Sequence, residues 1–146
     1  MPDPVMIPIA MAPRSYSWTV IYDSDCGFCR WSMAWVLRLD RNHRVRPAAL
    51  DSPEADEALA DLAPAVRGAS WHLVSPEGQR FSAGAGLPPL LRLLPGGRIP
   101  GAVAAALQPL TNLLYRAVAN SRSLLGPRVT DKAKRRADEL IAERSA

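Results

Sequence analysis

At 146 residues the chain is long enough for one domain with its own core, and 48% apolar against 22% charged residues excludes disorder across its body. No apolar run reaches the ~18 residues of a membrane span; the nearest, Val103–Val118, is interrupted by Gln108, Pro109, Asn112 and Arg116. The net charge of +4 is uneven, 7 basic against 9 acidic residues over 1–73 and 11 against 5 over 74–146; the basic half could touch nucleic acid or anionic lipid, but it reads as a solvated basic helix.

Residues 1–17 lack the basic start of a secretory signal and carry prolines through their short apolar part; they read as a flexible lead-in, with Met6 and Met11 as alternative starts. Trp18–Tyr22 is aromatic and β-branched and predicts a strand. It runs into Asp23-Ser24-Asp25 and then Cys26-Gly27-Phe28-Cys29, where the period changes. Phe28, Trp31, Trp35 and Leu39, with Met33, Val36 and Leu37, predict an amphipathic helix ending near Asp40. Arg44–Leu50 predicts a weaker strand, placed at an edge or bulge by Pro47. Ser52-Pro53-Glu54 has cap, first-turn proline and acid in order and predicts a helix to about Ala63.

Ser70–Val74 and Gln79–Ala83 predict a hairpin turned by Pro76-Glu77-Gly78. A helix is predicted over Pro88–Leu94, stopped by Pro95-Gly96-Gly97, and a longer one over 101–121 that bends at Pro109. Thr130 caps a final polar helix over Asp131–Arg144. The order β-α-β-α-β-β-α, with added C-terminal helices, is an α/β fold with a thioredoxin-like core, its first β-α-β unit right-handed and parallel.

Two cysteines three apart are not a secreted disulfide framework, and so short a loop adds little chain entropy to stability. They read as chemistry. Cys26 stands where a strand ends and a helix begins, so unpaired backbone N–H groups and the helix dipole favour a thiolate there. Cys29, one turn on, can then attack a mixed disulfide at Cys26 and release the reduced substrate. Gly27 is expected to let a substrate backbone approach, and Phe28 to offer an apolar surface. Asp23 and Asp25 oppose a thiolate by like-charge repulsion, yet Asp23 at the strand end is also a candidate proton acceptor for Cys29. Its simpler reading is a loop acid bonded to backbone N–H groups. The candidate catalytic set is Cys26, Cys29 and Asp23. His43 and His72 do not complete a four-ligand metal site at any usual spacing, and His72 in a predicted strand reads as a satisfied buried or edge histidine.

From about Trp18 to Gly126 the chain resembles the DCC family of thiol-disulfide oxidoreductases, named for Asp-Cys-x-x-Cys. The family opening, a strand and Tyr/Phe-Asp-Gly-x-Cys-x-x-Cys, is matched by Tyr22, Asp23, Cys26 and Cys29, with Ser24 at the usual glycine. Asp40 resembles the Asp that follows the first helix. Tyr115, Arg116, Ala119 and Asn120 resemble a later Tyr-Arg-x-x-Ala-x-Asn-Arg segment, with Arg122 offset by one, and Gly126 closes it. Thioredoxins carry a proline near the position of Ala69-Ser70, where this chain has none. The resemblance implies redox activity on a disulfide-containing protein or small thiol, regenerated by a separate reductant, and leaves the substrate open.

The domain reading is a lead-in over 1–17, a thioredoxin-like DCC domain over 18–126 and a basic helix over 127–146. The expected protein is a cytoplasmic monomer or weak dimer without cofactor, nucleic acid or stable membrane insertion. Two alternatives stay open: a metal or iron–sulfur group shared by the cysteines of two chains, and a thioredoxin-like binding module without turnover. The Tyr115–Arg122 segment is expected to reach the cysteine end of the fold and bring a positive charge to it.

Overall fold

The computed structural model describes residues 17–145, so all but one residue of the expected lead-in lies outside the described part. The first strand, β1 (Trp18–Tyr22), alternates its side chains between two faces. Val20 and Tyr22 join one apolar cluster and Ile21 joins another, so both faces of the sheet are covered. Helix α1 (Gly27–Leu39) returns the chain to β2 (Val45–Ala49), parallel to β1 in the register Trp18↔Val45 to Tyr22↔Ala49. Pro47, which has no N–H for a ladder, opposes Val20 on this edge strand as expected.

The chain then crosses the sheet. Strand β3 (His72–Val74) pairs antiparallel with β1, and β4 (Arg80–Ser82) pairs antiparallel with β3. The sheet order is β2-β1-β3-β4, a mixed four-stranded sheet, and with seven α-helices among the described residues the fold is of the α/β class and compatible with the expected thioredoxin-like core.

Between β2 and β3 there are two helices instead of one. Ser52 caps α2 (Pro53–Ala58) through the Ala55 N–H at 3.2 Å, but the helix stops short of Ala63. Pro64 excludes its predecessor from helical geometry: Ala63 is extended, and α3 (Pro64–Ala69) starts anew. The same logic divides the stretch after α4 (Leu87–Leu93). α5 (Arg98–Ala106) ends at Leu107, and α6 (Gln108–Leu125) restarts with Pro109 in its first turn. The predicted bend is a break.

Helix α7 (Asp131–Ser145), capped by Thr130, packs along α1 and against β2. It buries Ala137 and Ile141, so one side of this basic helix belongs to the core. Asp40 and Arg144 fix its end. Asp40 is fully buried, accepts the Arg44 and Val45 N–H groups at 3.0 and 2.9 Å, and meets the Arg144 guanidinium at 2.5 Å. Arg144 also donates to the carbonyls of Leu37 and Val45, which closes the corner where α1 gives way to β2.

Candidate active site

The turn from β1 into α1 builds the site. Asp23 accepts the Asp25 N–H on Oδ1 at 3.0 Å, and its carbonyl accepts the Cys26 N–H at 3.3 Å. Asp23 therefore does what the simpler reading of a loop acid describes. Ser24 does not adopt a positive φ, so its Cβ is accommodated at the position where the family has glycine.

Cys26 is the N-cap of α1. Its backbone is extended, at φ −94° and ψ 115°, and its Sγ accepts the Cys29 N–H at 3.2 Å. A sulfur in this place takes the role usually held by a serine or aspartate oxygen, and a thiolate accepts such a bond far better than a thiol. Both cysteines are free and both are half-buried. Burial first, then the hydrogen bond and charge of Cys26, push the Cys29 thiol up to about 12, with Asp23 adding and Arg122 opposing. At neutral pH Cys29 is a protonated thiol.

Lys134 stands beside the expected approach over Gly27. A Cβ built on Gly27 would lie 2.8 Å from Lys134 Cε and 3.3 Å from Nζ, so the α7 lysine lies across the first turn of α1. Lys134 is a residue the sequence reading missed. It sits more than a hundred positions from Cys26, and no local pattern marks it.

Beside Cys29 a cavity of about 370 Å³ opens between α1 and α6. Its walls are mostly apolar: Val20 and Tyr22 from β1, Phe28, Met33 and Val36 from α1, Trp71 before β3, Leu87 and Leu90 from α4, and Leu114 and Val118 from α6. Its polar groups include Asp23, Ser32, Ser70, Tyr115 and Arg122. Tyr115, Ala119 and Arg122 thus share the inward face at i, i+4 and i+7, as the spacing predicts, while Arg116 and Asn120 are exposed. Burial raises the Tyr115 hydroxyl above the ordinary tyrosine range. Cys29 adds to the rise, and the Trp71 backbone, Arg122 and Ser70 oppose it. Arg122 acts on Cys29 as well as on Tyr115, so the positive charge of this segment acts on the second cysteine. Its guanidinium also donates to the Gly68 carbonyl at 3.4 Å.

His72 stands apart from this site and is fully buried. Its Nε2 meets the Arg67 carbonyl at 3.0 Å and its Nδ1 meets Ser82 Oγ at 2.6 Å. A carbonyl only accepts, so Nε2 carries the proton and Nδ1 accepts the serine hydroxyl. Among the described residues, no three His, Cys, Asp or Glu side chains gather to hold a metal ion.

The sequence model of the DCC1-like thiol-disulfide oxidoreductase family matches residues 20–128, which span β1, both cysteines, the cavity and Arg122. No curated protein and no solved structure matches the chain. With three quarters of its length matched and the Cys-x-x-Cys pair at the head of α1, the chain belongs to the DCC1-like thiol-disulfide oxidoreductase family.

Proposed function

We propose that the protein is a dithiol oxidoreductase in which Cys26 is the nucleophile, Cys29 the resolving thiol and Asp23 its proton acceptor. The observation that carries this reading is the N-cap bond: Cys26 Sγ takes a backbone N–H at the positive end of α1, where a thiolate is stabilised by the dipole and by the bond itself. Lys134 adds a positive charge over the same turn. The Cys26 thiolate attacks a substrate disulfide, forms a mixed disulfide and expels the first substrate sulfur as thiolate. Cys29 then gives its proton to the Asp23 carboxylate and attacks Cys26 Sγ. The second substrate sulfur leaves, and a Cys26–Cys29 disulfide remains for an external reductant to restore.

The substrate class is a disulfide-bearing protein or small molecule, with an apolar group that enters the cavity beside Cys29. A Cys-x-x-Cys pair used for exchange suits a reducing compartment, which supports the cytoplasm as its location. The test is turnover of an aromatic disulfide under a thiol reductant. Wild type is expected to turn over, Cys26→Ser to lose the activity entirely, and Cys29→Ser to hold the mixed disulfide until the external thiol resolves it, so that its turnover is slower. Equal activity in Cys26→Ser and wild type would overturn the assignment.

A further inference from the structure

Helix α6 is amphipathic, but it is seated with its apolar side outward. None of its eighteen residues is buried, and its polar side faces the protein. Gln108 donates to the Gly84 carbonyl at 3.0 Å and to Asn112 Oδ1 at 2.8 Å, and Arg122 reaches the Gly68 carbonyl. Leu110, Leu113 and Leu124 point away, 49% to 72% exposed, while Leu114 and Val118, which also line the cavity, are 59% and 47% exposed. On α5, Ile99 is 77% exposed and Val103 52%, and Leu107, between the two helices, is 49% exposed. Scattered exposed leucines are ordinary, but a full helical stripe of them turned from the core marks a docking surface.

Charge identifies the partner. The sequence has no aspartate or glutamate between Glu77 and Asp131, while it has six arginines there. Arg92, Arg98, Arg116 and Arg128 of this stretch are exposed. An apolar stripe flanked by arginines alone is the pattern of a helix lying in the plane of an anionic bilayer surface. In a second copy set face to face, α5 and α6 themselves would offer arginine against arginine and no acid. Among the described residues no helix is long and apolar enough to cross a membrane, so the contact is with the surface.

We infer that α5 and α6 form a peripheral membrane-docking face that seats the protein on anionic lipid. Leu114 and Val118 belong both to this face and to the cavity wall, so docking turns the cavity mouth toward the bilayer. The inference does not rest on the redox reading, because lipid binding is measured without turnover.

The experiment is flotation of the full chain with vesicles of phosphatidylcholine containing about one-third phosphatidylglycerol, beside pure phosphatidylcholine. Two variants, Arg98→Gln/Arg116→Gln and Ile99→Gln/Leu113→Gln/Leu124→Gln, alter exposed side chains outside the cavity, and their folding is checked by thermal melts. The expected result is binding to the anionic vesicles that weakens with salt and weakens about 30-fold in the double arginine variant. The triple apolar variant is expected to lose flotation while still melting cooperatively. Three results would overturn the inference: no flotation of the wild type, a concentration-dependent dimer that the triple variant abolishes, or flotation only after removal of residues 1–16. Binding to an oligonucleotide without flotation would likewise contradict it.

Discussion

Arg122 and Asp23 act on the Cys29 thiol and Lys134 stands beside Gly27 in the turn after Cys26, and each has a separable consequence. Lys134 lies over the turn that holds Cys26. Lys134→Gln is expected to slow iodoacetamide labelling of Cys26 at pH 7 by about threefold or more, with Lys134→Arg restoring most of the rate. Arg122 opposes the rise of the Cys29 thiol, so Arg122→Ala is expected to slow resolution of a mixed disulfide by about tenfold and leave Cys26 labelling unchanged. Asp23→Asn keeps an oxygen for the Asp25 N–H but removes the base; loss of a positioned base is expected to slow resolution by about 100-fold. Stopped-flow release of an aromatic thiol checks both. If Arg122→Ala slowed labelling of Cys26 and left resolution untouched, the charge would act on the wrong sulfur. Asp23, Cys26 and Cys29 were legible because one strand end and one helix start lie within seven residues. Arg122 was legible only through the family segment, and Lys134 not at all, because only the packing of α7 on α1 brings it there.

At the scale of elements, local pattern predicts that a helix exists more reliably than which side it buries. In α1, Met33, Ala34 and Leu37 go into the core, whereas Trp35 and Leu39 are 44% and 51% exposed. Apolar residues cover more than half the circumference of this helix, and period alone does not say which stripe meets the sheet. The outer stripe is an aromatic ladder, Phe28 to Trp31 at 5.8 Å and Trp31 to Trp35 at 6.2 Å, with Arg38 over the Trp35 ring. Helix α6 turns much of its apolar stripe outward, because its polar residues find carbonyl partners before and after the hairpin, Gly68 in α3 and Gly84 after β4. Helix α7 reads from composition as solvated, yet it carries Ile141 into the core and Arg144 to Asp40. Removal of one partner leaves the other charge buried, so Arg144→Ala is expected to destabilise the fold by about 3–5 kcal/mol in urea unfolding. A loss under about 1 kcal/mol would mean that the pair is no more than a surface contact.

Over the whole molecule, the element order β1-α1-β2-helices-β3-β4-α4 followed from pattern, while everything that makes the cavity depends on contacts far apart in sequence. Val20 and Tyr22 reach it from one end of the chain, Tyr115 and Arg122 from the other, and no single window holds both. The same crossing of the sheet buries His72. Burial holds its ring below the ordinary histidine range, with the Arg80 and Arg67 charges acting in the same direction and the Arg67 carbonyl opposing. The unfolded chain takes up this proton as pH falls through about 6.5, whereas the folded chain does so only lower. The stability is therefore fully present above about 6.5 and is lost as pH falls toward the folded value. Melting at pH 7.5 and 5.5 is expected to show this fall, and His72→Gln to flatten it; an equal fall in both proteins would assign the effect to other groups.

The division of labour proposed for the two sulfurs is tested most directly by covalent trapping. Reduced Cys29→Ser and Cys26→Ser proteins are each mixed with an aromatic disulfide at pH 7 and read by intact mass. The account predicts a stable adduct of one substrate half on Cys29→Ser, because Cys26 attacks and nothing resolves it. Almost none is expected on Cys26→Ser, where Cys29 is half-buried and its thiol is pushed up to about 12. An adduct that forms faster on Cys26→Ser than on Cys29→Ser would contradict it.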